Sequence, residues 1–415
     1  MPKSSEIIFS QSALLVTTLL CTPVLLPAAE PDTRAVMIHY TDLAHAGFED
    51  SLITARRLQE KVDTFITAPT PETQQAAKTA WLTARQAYGQ TEAFRFGNPN
   101  VDAWEGQVNA WPLDEGLIDY VDQDSYEHED GNTFASANVI AGTEAITPAL
   151  LRSLQEKGGS EANVGTGYHA IEFLLWGQDL NKDPKQAGTR PHTDFASGTA
   201  CTHGNCGRRG EYLKVATGLL VSDLEHMTAD WSADNRGNYR QQFLALEPRE
   251  ALRRMLFGMG SLSLGELAGE RMNVALLAHS QEDEHSCFSD NTHNDIEANA
   301  RSISNIHTGS YVRSDGSRFD GPGLALLLER QDAALAGALM DKLDSSQKAV
   351  MAIVDAASQG EAFDQQIAPD NPAGNQRIHT AINALRDQTA AIEAAATALG
   401  IVQLNAETSD SFNNR

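Results

Sequence analysis

His169 and Glu172 stand three residues apart in the run Gly167-Tyr-His-Ala-Ile-Glu-Phe-Leu-Leu-Trp-Gly177. On a helix that spacing puts an imidazole and a carboxylate on one face, where both can reach one metal ion. Ile171, Phe173, Leu174, Leu175 and Trp176 predict that this helix is buried, and a buried carboxylate needs a partner, a cation or a metal. The pair is therefore either a metal centre or a hydrogen bond within a core, and spacing alone leaves both open. Two ligands are too few for iron or zinc, which take about four or more. Glu92 and Asp114 are the candidate additional ligands.

Trp81, Arg85, Tyr88, Glu92 and Arg95 recur at helical spacing. They place charge on a face that ordinarily enters a core, so they form either an internal ion-pair ladder or one wall of a polar cavity. Arg85 is expected to orient a carboxylate in the outer shell, with Trp111, Glu270 and Arg271 as further supporting residues. Trp111-Pro112 pins a loop and leaves Asp114 to point inward. A second run, Gln281 to His293, crowds Glu284, His285, Asp290 and His293 around Cys287 and Phe288. It reads as a second ligand cluster or as a solvated acidic loop, part of it tucked against the protein.

The elements that must position these groups read as helices. Ala and Leu abound, aromatics make up 7%, and no alternating strand run of convincing length occurs. The pattern predicts a helix over 36–66 and a second one capped by Thr70 with Pro71 in its first turn. Helical pattern resumes near Phe134 and at 165–177, then from Gly207, over 238–257 and over 260–278. Three helices finish the chain from Leu324, Ser346 and Ala373. Residues 98–132, 178–206 and 280–321 read as loops, and 405–415 as frayed. Gly167–Glu172 and Gly265–Glu270 share a Gly-x4-Glu frame, each expected to open a helix. The chain thus reads as all-α: two helical bundles, 30–206 and 207–415, interrupted by long irregular loops.

Residues 13–26 are apolar and precede Pro27-Ala28-Ala29, the pattern of a cleaved export signal over 1–29. Cys21, a possible lipidation site, would leave with it. In an oxidising compartment Cys201 and Cys206, in Cys-x4-Cys, are expected to pair. A net charge of −25 repels phosphate backbones and argues against nucleic acid as a partner. The chain has no His-Glu-x-x-His, no Gly-x-Ser-x-Gly, no Walker loop and no Cys-x-x-Cys-His.

Taken together, Gly167-x-His-x-x-Glu172 with its Phe-Leu-Leu-Trp-Gly, Trp81-x3-Arg85-x2-Tyr88, Trp111-Pro-Leu-Asp114, and Gly265-Glu-Leu-Ala-Gly-Glu-Arg-Met272 resemble the imelysin family. The run from Ser280 to Thr292 resembles its iron-regulated protein A branch. The resemblance implies a two-domain helical fold with four-helix-bundle-like halves, an envelope location in the periplasm or at the outer membrane, and a link to iron. It implies a metal site at His169 and Glu172, with iron the expected metal and zinc or another divalent ion the alternative. The expected partners are a metal ion or chelate and an envelope receptor or transporter. Two rival readings are a metallopeptidase using the same pair and an interaction protein whose polar cluster is structural.

Overall fold

The computed structural model describes residues 31–124, 126, 128, 130–180 and 186–412. The expected export signal and Cys21 lie outside the described residues. Helix α1 (Pro31–Thr67) turns back on α2 (Pro71–Gly89) through a three-residue link, 68–70. Thr70 closes that link as a reciprocal capping box with Thr73, and Pro71 occupies the first turn. The buried helix α3 (Gly167–Trp176) packs on α2, and α4 (Cys206–Trp231) packs along α1. The helix expected to open the second half thus completes the first bundle.

The second bundle is built on α5 (Pro248–Ser261), which runs on as a π-helix over Leu262–Val274. Against it pack α6 (Thr292–Thr308) and α9 (Pro372–Ala398), while α8 (Ala333–Ser358), led into by α7 (Leu324–Gln331), packs on α6 and α9. Helix α6 also touches α2, so it bridges the two bundles. One large core runs through the first bundle into α5. A smaller one holds Leu267, Met272, Ile296, Val350, Ile378 and Leu385.

Several expectations are corrected. The stretch 280–321 is not one loop: it contains α6 and a hairpin, β1 (Ser310–Val312) antiparallel to β2 (Arg318–Asp320). The α6 stripe was hidden because its buried face alternates Ile296, Ala300 and Ile303 with polar Asp295, Asn299 and Ser302. Residues near Phe134 form turns, followed by a single 3-10 turn at Val139–Ala141, and α-helix returns only at Pro148–Arg152. Helix α8 begins at Ala333, capped by Asp332, well before Ser346. Gly265 lies inside the π-helix and opens nothing. Residues 405–412 are not frayed but lie on that π-helix, where a Cβ on Gly269 would sit 2.2 Å from the Ser409 side chain. No helix among the described residues is long and apolar enough to cross a membrane.

Candidate functional site

Helix α3 is apolar on nearly every side, and all ten of its residues are buried. Its first residue must be glycine: Gly167 has φ +86°, and a Cβ there would meet Val108 O at 2.4 Å. Trp81 Nε1 donates to Tyr168 O at 3.0 Å and pins the helix to α2. So held, His169 and Glu172 are 1% and 0% exposed.

His169 Nδ1 lies 3.0 Å from Glu172 Oε2. The other carboxyl oxygen, Oε1, accepts from the backbone N–H of Ser289 at 3.0 Å and from its hydroxyl at 2.6 Å. Both Glu172 oxygens are therefore engaged, whereas His169 Nε2 is buried with no hydrogen-bond partner. Burial, then the charge of Arg85, holds the His169 imidazole neutral, its pKa well below the usual range. Burial pushes Glu172 up to about 8, against the Ser289 hydrogen bonds.

The His285 ring sits 4.8 Å, centroid to centroid, from that of His169. Its nitrogens are spoken for. Nδ1 lies 3.0 Å from Asp295 Oδ2, and in the tautomer that donates there Nε2 accepts from Arg85 Nη2 at 3.2 Å. Arg85 also donates from Nε to Asp295 at 3.1 Å and from Nη1 to Asn109. Ser286 donates to Asp295 at 2.6 Å. Burial and then Arg271 and Arg85 keep His285 neutral.

The ladder expected from Trp81 to Arg95 is broken at Gly89, where α2 ends; Glu92 sits in a single turn beyond it. Glu92 accepts from Arg271 Nη2 at 2.6 Å rather than facing His169. Arg271 also reaches Glu266 at 2.8 Å, a pairing that the five-residue step of the π-helix brings together. Asp114 is buried and accepts from Asn132. Glu92 and Asp114, the proposed additional ligands, thus have other partners. Among the described residues no three His, Cys, Asp or Glu side chains are arranged to hold a metal. Glu284 and His285 have different partners: the His285 ring meets His169, while Glu284 is buried and its backbone carbonyl accepts from Trp111. His293 Nδ1 is buried and unpartnered. Cys287 and Phe288 are tucked in, and Cys201 is joined to Cys206.

A cleft of about 640 Å³ opens onto this cluster, walled by Trp111, His285, Glu105, Glu266, Glu270 and Arg271. Trp111 Nε1 donates to Glu284 O at 2.8 Å, and its ring meets His285 edge-on. Asp295, Asn109 and Ser289 are the site residues that sequence reasoning missed. The one available signal for Asp295 was its position in the first turn of an unrecognised helix.

The imelysin family model, described as Imelysin (Peptidase M75), matches residues 44–392. This chain belongs to the imelysin family. It is 24% identical over 308 residues to iron-regulated protein A of Synechococcus elongatus, across 72% of this chain and 69% of that protein. A crystal structure from Parabacteroides distasonis named as an iron-regulated protein A precursor superposes with a TM-score of 0.66 at 18% identity, covering 89% of this chain and 96% of that one. An imelysin-like protein from Psychrobacter arcticus gives 0.59 at 14% identity, covering 90% and 98%. These two likenesses show the fold, which among the described residues is all-α apart from one short hairpin. The family and the relative's name make an iron-related, imelysin-like role the coarse assignment.

Proposed function

We propose that this imelysin binds iron that arrives with part of its coordination sphere already filled, by water or a chelator, and that it serves iron uptake at the cell envelope after export. One observation carries the reading: His169 Nε2 is buried and unpartnered on a neutral ring whose Nδ1 is held by Glu172. A metal-ligating histidine characteristically engages a carboxylate through its other nitrogen. The residues fit a metal in that sense alone. His169 would ligate, Glu172 would fix the ring with Ser289 behind it, and Arg85 and Asp295 would hold His285 beside them. With no group of three protein ligands among the described residues, the remaining positions belong to the cargo or to the carboxylates of the cleft wall. When bound, the metal would supply an open coordination sphere, with His169 holding it. Arg85 and Arg271 add positive charge there, which suits a partly neutralised complex better than a bare cation.

The metallopeptidase reading has less support. A zinc hydrolase keeps three protein ligands and a free carboxylate base, whereas here Glu172 is the nearest carboxylate to His169 and both of its oxygens are taken. Anaerobic titration calorimetry with ferrous iron, and separately with ferric citrate, tests the proposal. Wild type is expected to bind at least one form, and His169→Ala neither. Equal binding by wild type and His169→Ala would end it. Digestion of casein with added zinc, and its suppression by chelator, would instead favour the peptidase.

A further inference from the structure

Two neighbouring faces of the π-helix Leu262–Val274 make different contacts. One brings Glu266, Glu270 and Arg271 to the wall of the cleft. There the buried Arg271 donates to Glu92 at 2.6 Å, to Glu266 at 3.0 Å and to Asn299. The other continues a line of glycines from the end of α5, and the C-terminal segment 405–412 lies along it. A Cβ on Gly260 would meet Ala406 Cβ at 3.0 Å, and one on Gly265 would meet Glu407 O at 3.0 Å. One on Gly269 would overlap the Ser409 side chain. The segment is tied at both ends of this line: Ser261 Oγ accepts from the Glu407 N–H at 3.0 Å, and Asn273 Nδ2 donates to Ser411 O at 3.2 Å. The glycine steps, five and then four, suit a helix bonded from i to i+5. On an α-helix a five-residue step turns about 140°, which would carry Gly265 off the line. Glu266 and Arg271 are likewise five apart, and the π step stacks them. The π form is the rarer one, so a long stretch of it calls for contacts that the α form would lose.

We propose that residues 405–412 are a strap that holds this helix in its π register and, through the helix, positions Arg271 at the cleft. With the strap off, the glycine face has no partner that requires the π step. The helix then takes the α step in part, which separates Arg271 from Glu266 and draws it away from Glu92. The cleft that Arg271 shares with His285 loses a fixed positive charge. Ser409 is the positioning residue at the tightest point of the strap; it acts on the site only through Gly269 and the helix. The effect on binding rests on the iron reading above, whereas the strap's hold on the helix does not.

The test is a steric swap in the full-length protein, read by hydrogen exchange and by calorimetric titration with ferrous iron and with ferric citrate. Gly269→Ala puts a methyl group where Ser409 lies, while alanine is the better helix former, so any loosening comes from the displaced strap. Amides of residues 265–274 should exchange about 10-fold faster, and iron affinity should fall about 10-fold, as for other supporting partners of a metal site. Adding Ser409→Gly removes the overlapping atoms, so the double variant should return both readings to within roughly twofold of wild type. A strap that only adds stability would not give this recovery of affinity. Should Gly269→Ala fail to fold, a chain ending at Leu404 removes the strap without altering the helix, and the same two losses are expected. Unchanged exchange over 265–274 in Gly269→Ala, or a double variant as defective as the single one, would overturn the strap. Faster exchange with unchanged iron affinity would overturn its positioning role. If wild type binds neither form of iron, the iron reading fails, and faster exchange in Gly269→Ala with recovery in the double variant still supports the strap.

Discussion

Two buried polar clusters in the first bundle have similar composition and opposite character. Around Asp119, Arg209 donates from Nε at 2.6 Å and from Nη2 at 3.0 Å, and Arg190 donates at 2.7 Å. Asp194 accepts from Tyr120 at 2.6 Å and from Thr202 at 2.7 Å, and its carbonyl accepts from Arg209. Two arginines face two aspartates, and nearly every valence is filled; Arg190 Nε is the exception, a lone donor on a saturated group. The His169 cluster is as well buried, but what it leaves open is an unpartnered imidazole nitrogen, next to a His285 ring that lines a cleft. A closed ionic knot has no capacity left for a ligand, whereas an unpartnered imidazole nitrogen can still take one. On the reading proposed above, the first cluster serves the fold and the second serves binding.

Breaking each cluster should separate them. Asp119→Ala leaves two buried guanidinium groups facing each other, which should cost about 3–5 kcal/mol and lower Tm by roughly 4–6 °C, with metal binding intact wherever the protein stays folded. His169→Ala should do the reverse: about 1–2 kcal/mol in stability, read from a denaturant melt, and complete loss of the calorimetric iron signal. A His169→Ala protein that melts as low as Asp119→Ala yet binds iron normally would make both clusters structural. Glu172→Gln is milder still. The amide keeps the shape and the Ser289 contact but weakens the hold on His169 Nδ1, so affinity should fall about 10–100-fold, as for other supporting partners of a metal ligand. A loss as complete as that of His169→Ala would make Glu172 a direct ligand.

Much of this was legible in the chain and some was not, for reasons that lie in particular residues. His169 and Glu172 announced themselves because three-residue spacing on an apolar helix is a local signal. The all-α class, α1 and the Thr70 cap were local too. Asp295 and Ser289 were not, because their roles depend on Arg85 and Glu172, more than a hundred residues away in sequence. Glu92 and Asp114 were drawn toward His169 by type, but Arg271 and Asn132 claim them in three dimensions. The π-helix escaped notice because a five-residue step leaves no standard periodicity, although it is what sets Glu266 beside Arg271.

The smallest expected effect is a slope with pH, and it distinguishes the same two clusters. Burial pushes Glu172 up to about 8 from an ordinary 4.5, and burial and then Glu282 push Glu115, a buried carboxyl next to Asp114 and outside both clusters, up to about 8 as well. Between those values the folded metal-free protein holds protons that the unfolded chain releases, so stability falls as pH rises through that interval. Asp194 behaves the other way. Burial is outweighed there by hydrogen bonds from Tyr120, His203 and Thr202, which hold its carboxyl below its usual range. Its contribution is in place above ordinary carboxylate pKa values and is lost only in acid, so the knot adds no slope near neutrality. Tm of the metal-free protein should therefore decline by a few degrees from about pH 6.5 to 8.5. Glu115→Gln and Glu172→Gln should each flatten the decline, because each removes one group that must ionise in a buried place. A Tm profile that is flat over this range, or one whose slope neither variant changes, would mean that these carboxyls are already charged and compensated. The contrast between a closed knot and an open cluster would then rest on His169 Nε2 alone.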